Sequence, residues 1–163
     1  MVIGGKMEES INNQIQAEFD SSYLYLSMAA WFENQDLPGC AHWMKKQAEE
    51  EWKHGMRFYD YLVSRGGRVV LKAINAPQCE WKNATQVFSD VMEHEEKVTS
   101  LIYKMAELAE NEKDYATRSM LTWFIDEQVE EEEHARAILV KFNKLGENPV
   151  SLSMLDRELG ARA

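Results

Sequence analysis

The chain has 163 residues, of which 45% are hydrophobic and 28% are charged, and its formal net charge is −10 at pH 7. This length and composition suit one soluble domain, residues 1–163, with a substantial core, and no apolar run is long enough to cross a bilayer. The acidic balance argues against nucleic acid as a partner, because nucleic-acid binding needs a basic surface. The amino-terminal segment lacks the order of a signal peptide, and Cys40 and Cys79 lack the spacing of a disulfide framework or a zinc site. We therefore expect a cytoplasmic protein with no membrane partner.

Four long segments within about residues 6–145 place apolar side chains at helical spacing and contain few helix breakers. A short tail helix is expected over about residues 150–160. The sequence therefore predicts an all-α protein with four long helices and a short fifth one. Turn-forming residues separate the helices at 34–39, 65–68, 112–114 and 146–149.

The lengths of the links predict how the helices are connected. Short links join helices one to two and three to four, so each of these pairs is antiparallel. The segment 67–83 is longer and, at about 3.3 Å per residue, can reach roughly 55 Å, which exceeds the ~40 Å length of a helix of this size. It can run the full height of the bundle and leave helices two and three parallel. We expect a four-helix bundle with one long crossover between helices two and three.

Each long helix carries one glutamate near the middle of the stripe that faces the other helices. Two of these glutamates have a histidine three residues later, on the same helical face. Burying an ionised carboxylate costs several kcal/mol unless it is compensated, and no lysine or arginine lies on these stripes. One Glu from each of two helices plus Glu-x-x-His from each of the other two is the pattern of a carboxylate-bridged di-iron or di-manganese centre. The residues in this pattern are Glu18, Glu95 and the pairs Glu51–His54 and Glu131–His134.

The kinds of ligand in this pattern indicate the metal and its chemistry. Carboxylates with one imidazole per ion suit iron or manganese better than zinc, which prefers nitrogen and sulfur. Two adjacent ferrous ions could each give an electron to dioxygen, so the chemistry implied is redox. Glu51 and Glu131, on the helices that also supply histidine, are the natural carboxylates to bridge the pair. Acids off the stripes, such as Glu49 and Glu133, are expected to be solvated helix faces.

With these motifs the chain resembles the haem-free ferritins of bacteria and archaea over essentially its whole length. The segments that carry the resemblance are QAEFDSSYLYL from Gln16, AHWMKKQAEEEWKH from Ala41, EHE from Glu93 and WFIDEQVEEE from Trp123. The resemblance implies a ferritin-like fold and a ferroxidase that oxidises Fe(II) with dioxygen or hydrogen peroxide. It also implies self-assembly into a hollow shell, usually of 24 subunits, that stores the ferric mineral.

The resemblance also implies which residues bind and oxidise iron. Two adjacent iron sites are expected, with Glu51 shared between them. Gln128 would lie near the second site. The first site would use Glu18, Glu51 and His54, and the second Glu95 and Glu131.

A third, weaker iron site and a nearby tyrosine follow from the same resemblance. The third site would use Glu50, Glu127 and Glu130, for which a set of solvated acids is the alternative interpretation. Tyr25 matches a tyrosine close to the iron that donates an electron or a hydrogen bond, and its alternative is a hydrogen-bonded core phenol.

Two positions separate this chain from related families. The haem-free ferritins commonly lack a histidine at the position of His134, whereas bacterioferritins use it as a ligand, and we expect it to bind metal here. The alternative for His134 is a histidine on the solvent side of the stripe, next to Ala135. Trp52 stands where bacterioferritins carry their haem-binding methionine, so no haem is expected.

Three other functions remain open. A rubrerythrin-like peroxidase shares the bundle but normally carries a four-cysteine iron domain, and this chain has two cysteines. A metal-stabilised bundle without catalysis would bind metal but consume no oxygen. The small DNA-protecting cages place their iron site between subunits, whereas the expected ligands here all lie in one chain.

Overall fold

The computed structural model describes residues 2–163 and contains five α-helices with no β-strand in that range. Their order and lengths confirm the predicted four-helix bundle with a short fifth helix at the carboxyl end. None of the described helices combines the length and the apolar character needed to span a membrane. The helices are α1 (Gly5–Asn34), α2 (Pro38–Ser64), α3 (Ala84–Asn111), α4 (Tyr115–Leu145) and α5 (Pro149–Gly160).

Side-chain caps mark the starts of the last three helices. Asn83, Asp114 and Asn148 each accept a hydrogen bond from a backbone N–H in the first turn of α3, α4 and α5. Such a cap satisfies one of the N–H groups that the helix leaves unpaired, and typically contributes about 1 kcal/mol. Asp114 is therefore the N-cap of α4.

The crossover between α2 and α3 runs along α1. Asn12 contacts its beginning, because its amide donates to the carbonyl of Arg68 at 2.9 Å and its oxygen accepts from the N–H of Val70 at 2.7 Å. Further along α1, the hydroxyl of Ser27 donates to the carbonyl of Gln78 at 2.6 Å. The crossover therefore proceeds in the same direction as α1 and returns the chain to the end of the bundle where α2 began.

The buried side chains form two hydrophobic clusters. On each long helix the glutamate of the buried stripe lies between residues of the two clusters. These four glutamates therefore form an acidic layer between the clusters, and they are Glu18, Glu51, Glu95 and Glu131. Aromatic pairs fill both clusters, with Phe88 stacked on Phe142 in one and Phe58 stacked on Phe124 in the other. The acidic layer is thus enclosed on both sides by apolar packing.

Helix α5 lies against the first turn of α2. The close approach needs Gly39, because a Cβ atom there would lie 1.8 Å from the backbone oxygen of Asp156. The Asp156 carboxylate accepts a hydrogen bond from the N–H of Cys40 at 2.8 Å. This interaction places a negative charge at the amino-terminal end of α2, where unpaired N–H groups favour it.

Candidate metal centre

One group of metal-binding side chains joins α1 and α2. Glu18, Glu51 and His54 each offer a ligand atom, and these atoms lie within 4.8 Å of one another. All three residues are buried, and Glu18 is only 1% exposed. Nδ1 of His54 lies 3.5 Å from Oε2 of Glu51. The spacing of three residues between Glu51 and His54 therefore brings a carboxylate and an imidazole together, as the sequence pattern predicts.

Oxygen Oε2 of Glu18 is the strongest indication that this group of side chains can hold a cation. The other carboxylate oxygen accepts a hydrogen bond from the amide of Gln14 at 2.8 Å. Oε2, although fully buried, has no hydrogen-bond partner among residues 2–163. Buried carboxylate oxygens are rarely left without a partner, and this one points to a ligand that is not part of the polypeptide. A divalent cation fits the donors that surround it.

A second group shares His54 with the first. His54, Glu127 and Glu131 also offer ligand atoms within 4.8 Å of one another. Glu131 is buried and Glu127 is half-buried. The spacing of four residues puts Glu127 and Glu131 on one face of α4. The resemblance placed Glu127 in a third site, and the structure brings it next to Glu131 and the imidazole.

Glu95 is held by hydrogen bonds and lies outside both of these groups. The hydroxyl of Tyr25 donates to Oε1 of Glu95, and the amide of Gln128 donates to Oε2 at 3.2 Å. Gln128 also donates to the hydroxyl of Thr99 at 3.2 Å. Both Tyr25 and Gln128 therefore contact the carboxylate of Glu95 in this structure.

Burial and mutual repulsion raise the pKa of all four stripe carboxyls. For Glu18 the main causes are burial and the charge of Glu51, and for Glu51 they are burial and the charges of Glu95 and Glu131. Burial, followed by repulsion from Glu95, raises the pKa of Glu131 to about 7. The pKa of Glu95 is also raised, chiefly by burial. Without a cation these groups tend to hold protons, and a bound divalent ion would favour their ionised forms.

Tyr25 is a hydrogen-bond donor in this setting. Burial and the neighbouring carboxylates, first among them Glu95, raise the pKa of its phenol well above the usual value. The phenol therefore keeps its proton at neutral pH and directs it at Glu95.

Two of the expected ligands lie on the outside of α4, and a third is held by an ion pair. His134 and Glu130 are exposed, and neither group of ligand atoms found among residues 2–163 includes them. His134 lies at the exposed edge of α4, beside the buried face that Glu131 and Ala135 occupy. Glu50 is half-buried and accepts a hydrogen bond from Arg162 at 2.5 Å. For His134 the structure favours the alternative interpretation, a histidine on the solvent side.

Sequence reasoning missed two buried glutamines. Gln14 precedes Glu18 by four residues and Gln47 precedes Glu51 by four, so each glutamine shares a helical face with a stripe glutamate. The amide of Gln47 donates to Oε2 of Glu131 at 2.7 Å and to Oε1 of Glu51 at 3.2 Å. The spacing Gln-x-x-x-Glu was the signal that could have revealed both residues.

The other two histidines, His42 and His94, have local hydrogen-bond partners. A ring nitrogen of His94 lies 2.8 Å from the hydroxyl of Ser21, and burial lowers the pKa of His94 to about 4. His42 is half-buried, and its Nε2 donates to the carbonyl of Arg162 at 2.8 Å.

Comparison with known proteins agrees with this geometry. Residues 8–145 match the ferritin-like domain. The chain is 40% identical over 161 residues to a bacterial non-heme ferritin of Bacteroides fragilis, covering 99% of this chain and 100% of the relative. It is 35% identical over 154 residues to the bacterial non-heme ferritin of Staphylococcus aureus, covering 94% and 93% of the two chains.

A solved structure is similar over the whole chain. It is an open pore ferritin from the hyperthermophilic archaeon Archaeoglobus fulgidus, with 44% identity, a TM-score of 0.99 and complete coverage of both chains. The chain described here belongs to the ferritin family. Membership of this family and the carboxylate–histidine groups together support iron binding at the acidic layer.

Proposed function

We propose that this chain is an iron-storage ferritin whose acidic layer is a ferroxidase centre. Fe(II) is the substrate, dioxygen is the oxidant, and the ferric product feeds a mineral inside a hollow shell. The observation that carries the proposal is the acidic layer itself, with four buried carboxylates, a buried imidazole and an unpartnered oxygen of Glu18. A polar core that needed no metal would have hydrogen-bond partners for that oxygen.

The proposed ligands of the iron pair are the four buried stripe carboxylates and the imidazole of His54. The first Fe(II) would bind Glu18, Glu51 and His54, whose ligand atoms lie together. The second would bind Glu51, Glu95 and Glu131. Bringing two ferrous ions side by side allows each to give one electron to the same dioxygen molecule.

A third iron site is proposed beside this pair. Its acids would be Glu50, Glu127 and Glu130, and the closeness of Glu127 to Glu131 and His54 supports a position on that side. We leave His134 out of all three sites because it is exposed on α4. Glu130 is also exposed, so it would complete the third site from the solvent side.

Hydrogen bonds hold the proposed ligands in place. Tyr25 and Gln128 each donate to one oxygen of Glu95. Gln47 donates to both Glu51 and Glu131. Replacing residues that orient metal ligands in this way typically lowers metal affinity about 10- to 100-fold.

Self-assembly of the chain is supported by an exposed apolar surface. It includes Leu26 on α1, Trp52 on α2, and Leu71 and Ile74 on the crossover. Trp52 lines two neighbouring grooves, one with Leu26 and the other with Leu71 and Ile74, so these side chains adjoin one another. Monomeric proteins rarely leave a continuous apolar surface uncovered. We propose that copies of this chain cover it in a shell of 24 subunits.

The experiment that tests the function is aerobic addition of Fe(II) in large excess over the chain. Oxygen uptake and particle size are followed together. Rapid uptake with a soluble, electron-dense iron core in a large particle is the expected result. Uptake that stops near two irons per chain would overturn the storage role and retain the oxidase. Metal binding without any uptake would favour a metal-stabilised bundle.

Particle size also tests the assembly. Light scattering of the metal-free protein should give a mass about 24 times that of the 18.9 kDa chain. A monomer or dimer would contradict the shell.

The small DNA-protecting cages receive less support as an alternative, because the ligand groups here lie within one chain. The rubrerythrin-like peroxidase receives less support because this chain has two cysteines, and the iron domain of that class needs four.

A further inference from the structure

The carboxyl-terminal tail reaches the metal centre along α2. After α5 ends at Gly160, the chain passes beside the first turns of α2, where Nε2 of His42 donates to the carbonyl of Arg162 at 2.8 Å. The guanidinium of Arg162 lies 4.9 Å from the ring centroid of Trp43. Its Nη1 also donates to the carbonyl of Trp43 at 3.4 Å. Arg162 is therefore held in place by contacts on α2.

The same guanidinium contacts Gln47, which lies next to the proposed ligands of the iron pair, and Glu50, a proposed ligand of the third site. Nη1 donates to Oε1 of Gln47 at 3.0 Å, and Nη2 donates to Oε2 of Glu50 at 2.5 Å. Gln47 is 1% exposed, and its amide nitrogen donates to Glu51 and Glu131. A continuous path of hydrogen bonds thus joins Arg162 to the two carboxylates on the helices that carry the Glu-x-x-His motifs.

The donors and acceptors along this path can be assigned in only one way. A guanidinium has donors and no acceptor, so the group of Gln47 that faces Arg162 must be the carbonyl oxygen. The amide NH₂ then faces Glu51 and Glu131, which are acceptors when ionised. Without Arg162 the carbonyl oxygen of Gln47 loses this donor, and the amide is free to rotate away from Glu51 and Glu131.

We propose that Arg162 is a positioning residue for the metal centre, acting through Gln47 on Glu51 and Glu131. The affinity of the centre for divalent ions then depends on the docking of the α5 tail against α2. This inference rests on the proposed function, because it takes Glu51 and Glu131 as metal ligands. Arg162 itself touches neither metal nor substrate in this account.

The first test is an anaerobic titration with Co(II), an ion whose visible absorption reports the ligands and geometry around it. The wild-type protein is compared with Arg162→Ala, Arg162→Lys and a control, Arg157→Ala, which removes an exposed arginine of α5. Arg162→Ala should lower Co(II) affinity about 10-fold, the lower end of the range for residues that orient metal ligands. It should also change the Co(II) absorption bands. Arg157→Ala should match wild type, and Arg162→Lys should recover part of the affinity because a lysine also donates to Gln47.

The second test separates an effect through Gln47 from one through Glu50 or through folding. The Co(II) affinities of Gln47→Ala and of the double variant with Arg162→Ala are measured in parallel. If Arg162 acts through Gln47, replacing it in the Gln47→Ala background should change the affinity less than twofold. An undiminished effect in that background would overturn the proposal. Circular dichroism and particle size should be unchanged for Arg162→Lys, so this variant carries the test even if Arg162→Ala folds poorly.

The outcomes also separate this inference from the proposed function. Wild-type protein that binds Co(II) but does not oxidise Fe(II) would overturn the ferroxidase. Wild-type protein that does both, with Arg162→Ala indistinguishable from it in affinity and spectrum, would overturn only the role of Arg162. In the expected case, Arg162→Ala should raise the Fe(II) concentration for half-maximal oxidation more than it lowers the maximal rate.

Discussion

The hydroxyl of Tyr25 on α1 donates a hydrogen bond to the carboxylate of Glu95 on α3, and both side chains are buried. The sequence left two interpretations of Tyr25 open, a core phenol with a satisfied hydrogen bond or a residue acting beside the iron. The contact with Glu95 makes the two interpretations compatible, because the carboxylate that accepts the phenol's hydrogen bond is itself a proposed iron ligand. The hydrogen bond favours the ionised form of Glu95, which is the form that binds a metal ion.

Removing this hydroxyl should therefore weaken the metal centre without unfolding the bundle. We expect Tyr25→Phe to lower Co(II) affinity about 10-fold and to slow Fe(II) oxidation. The matched control is Tyr23→Phe, since Tyr23 lies two residues away on α1 with its side chain exposed. Titration with Co(II) and stopped-flow oxidation of Fe(II) provide the measurements. Equal affinity and rate in the two variants would contradict a role for the contact.

The two histidines of the Glu-x-x-His motifs should behave differently. His54 is buried and belongs to both groups of ligand atoms, whereas His134 is exposed. We expect His54→Ala to reduce Fe(II) oxidation by more than 10-fold, since loss of a ligand exceeds the loss of a residue that only orients one. His134→Ala should leave the rate within twofold of wild type. A large decrease for His134→Ala would restore the expectation that it binds metal.

The stability of the metal-free protein should fall as the pH rises from about 4.5 to about 7. Burial raises the pKa of Glu131 to about 7 from an ordinary value of 4.5, so the folded state binds more protons than the unfolded state between these values. The unfolding free energy then decreases with pH by an amount on the order of 3 kcal/mol for this one group, and levels off above the folded pKa. The other three stripe carboxyls act in the same direction.

Thermal unfolding of metal-free protein at pH 5 and pH 8 measures this effect. The lower melting temperature is expected at pH 8, and Glu131→Gln should reduce the difference because glutamine does not titrate. Saturation with Co(II) should remove much of the loss at pH 8, since bound metal stabilises the ionised carboxylates. A melting temperature that rises with pH in the metal-free protein would contradict the assignment.

The contact between α5 and α2 should be sensitive to a single added methyl group. A Cβ at Gly39 would overlap the backbone oxygen of Asp156, which cannot rotate away as a side chain could. We expect Gly39→Ala to destabilise the protein by about 1–3 kcal/mol and to lower Co(II) affinity as Arg162→Ala does, because the tail moves with α5. Gly5→Ala is the control, since outside its neighbouring residues and its own turn of helix no described atom lies within 4 Å of the added carbon.

Most of the fold and the central carboxylates could be predicted from the sequence because local rules govern them. A stripe at helical spacing identifies the buried face of each helix, and the high energy of burying Glu18, Glu51, Glu95 or Glu131 alone points to a cation. The length of the crossover limits the topology, because only a long segment can return the chain to the other end of the bundle. These inferences need only short windows of sequence and the counting of residues between them.

The tertiary structure decided which neighbours of the stripe glutamates lie close to the buried imidazole. His134 and Glu127 lie at similar distances from Glu131 in sequence, three and four residues away, yet one is exposed and the other meets His54. The difference arises from the rotation of α4 about its axis against α2, which packing of the two hydrophobic clusters sets. Arg162 lies more than a hundred positions from Gln47. No periodicity links such residues, so only the docking of α5 on Gly39 brings the guanidinium to Gln47, beside the acidic layer.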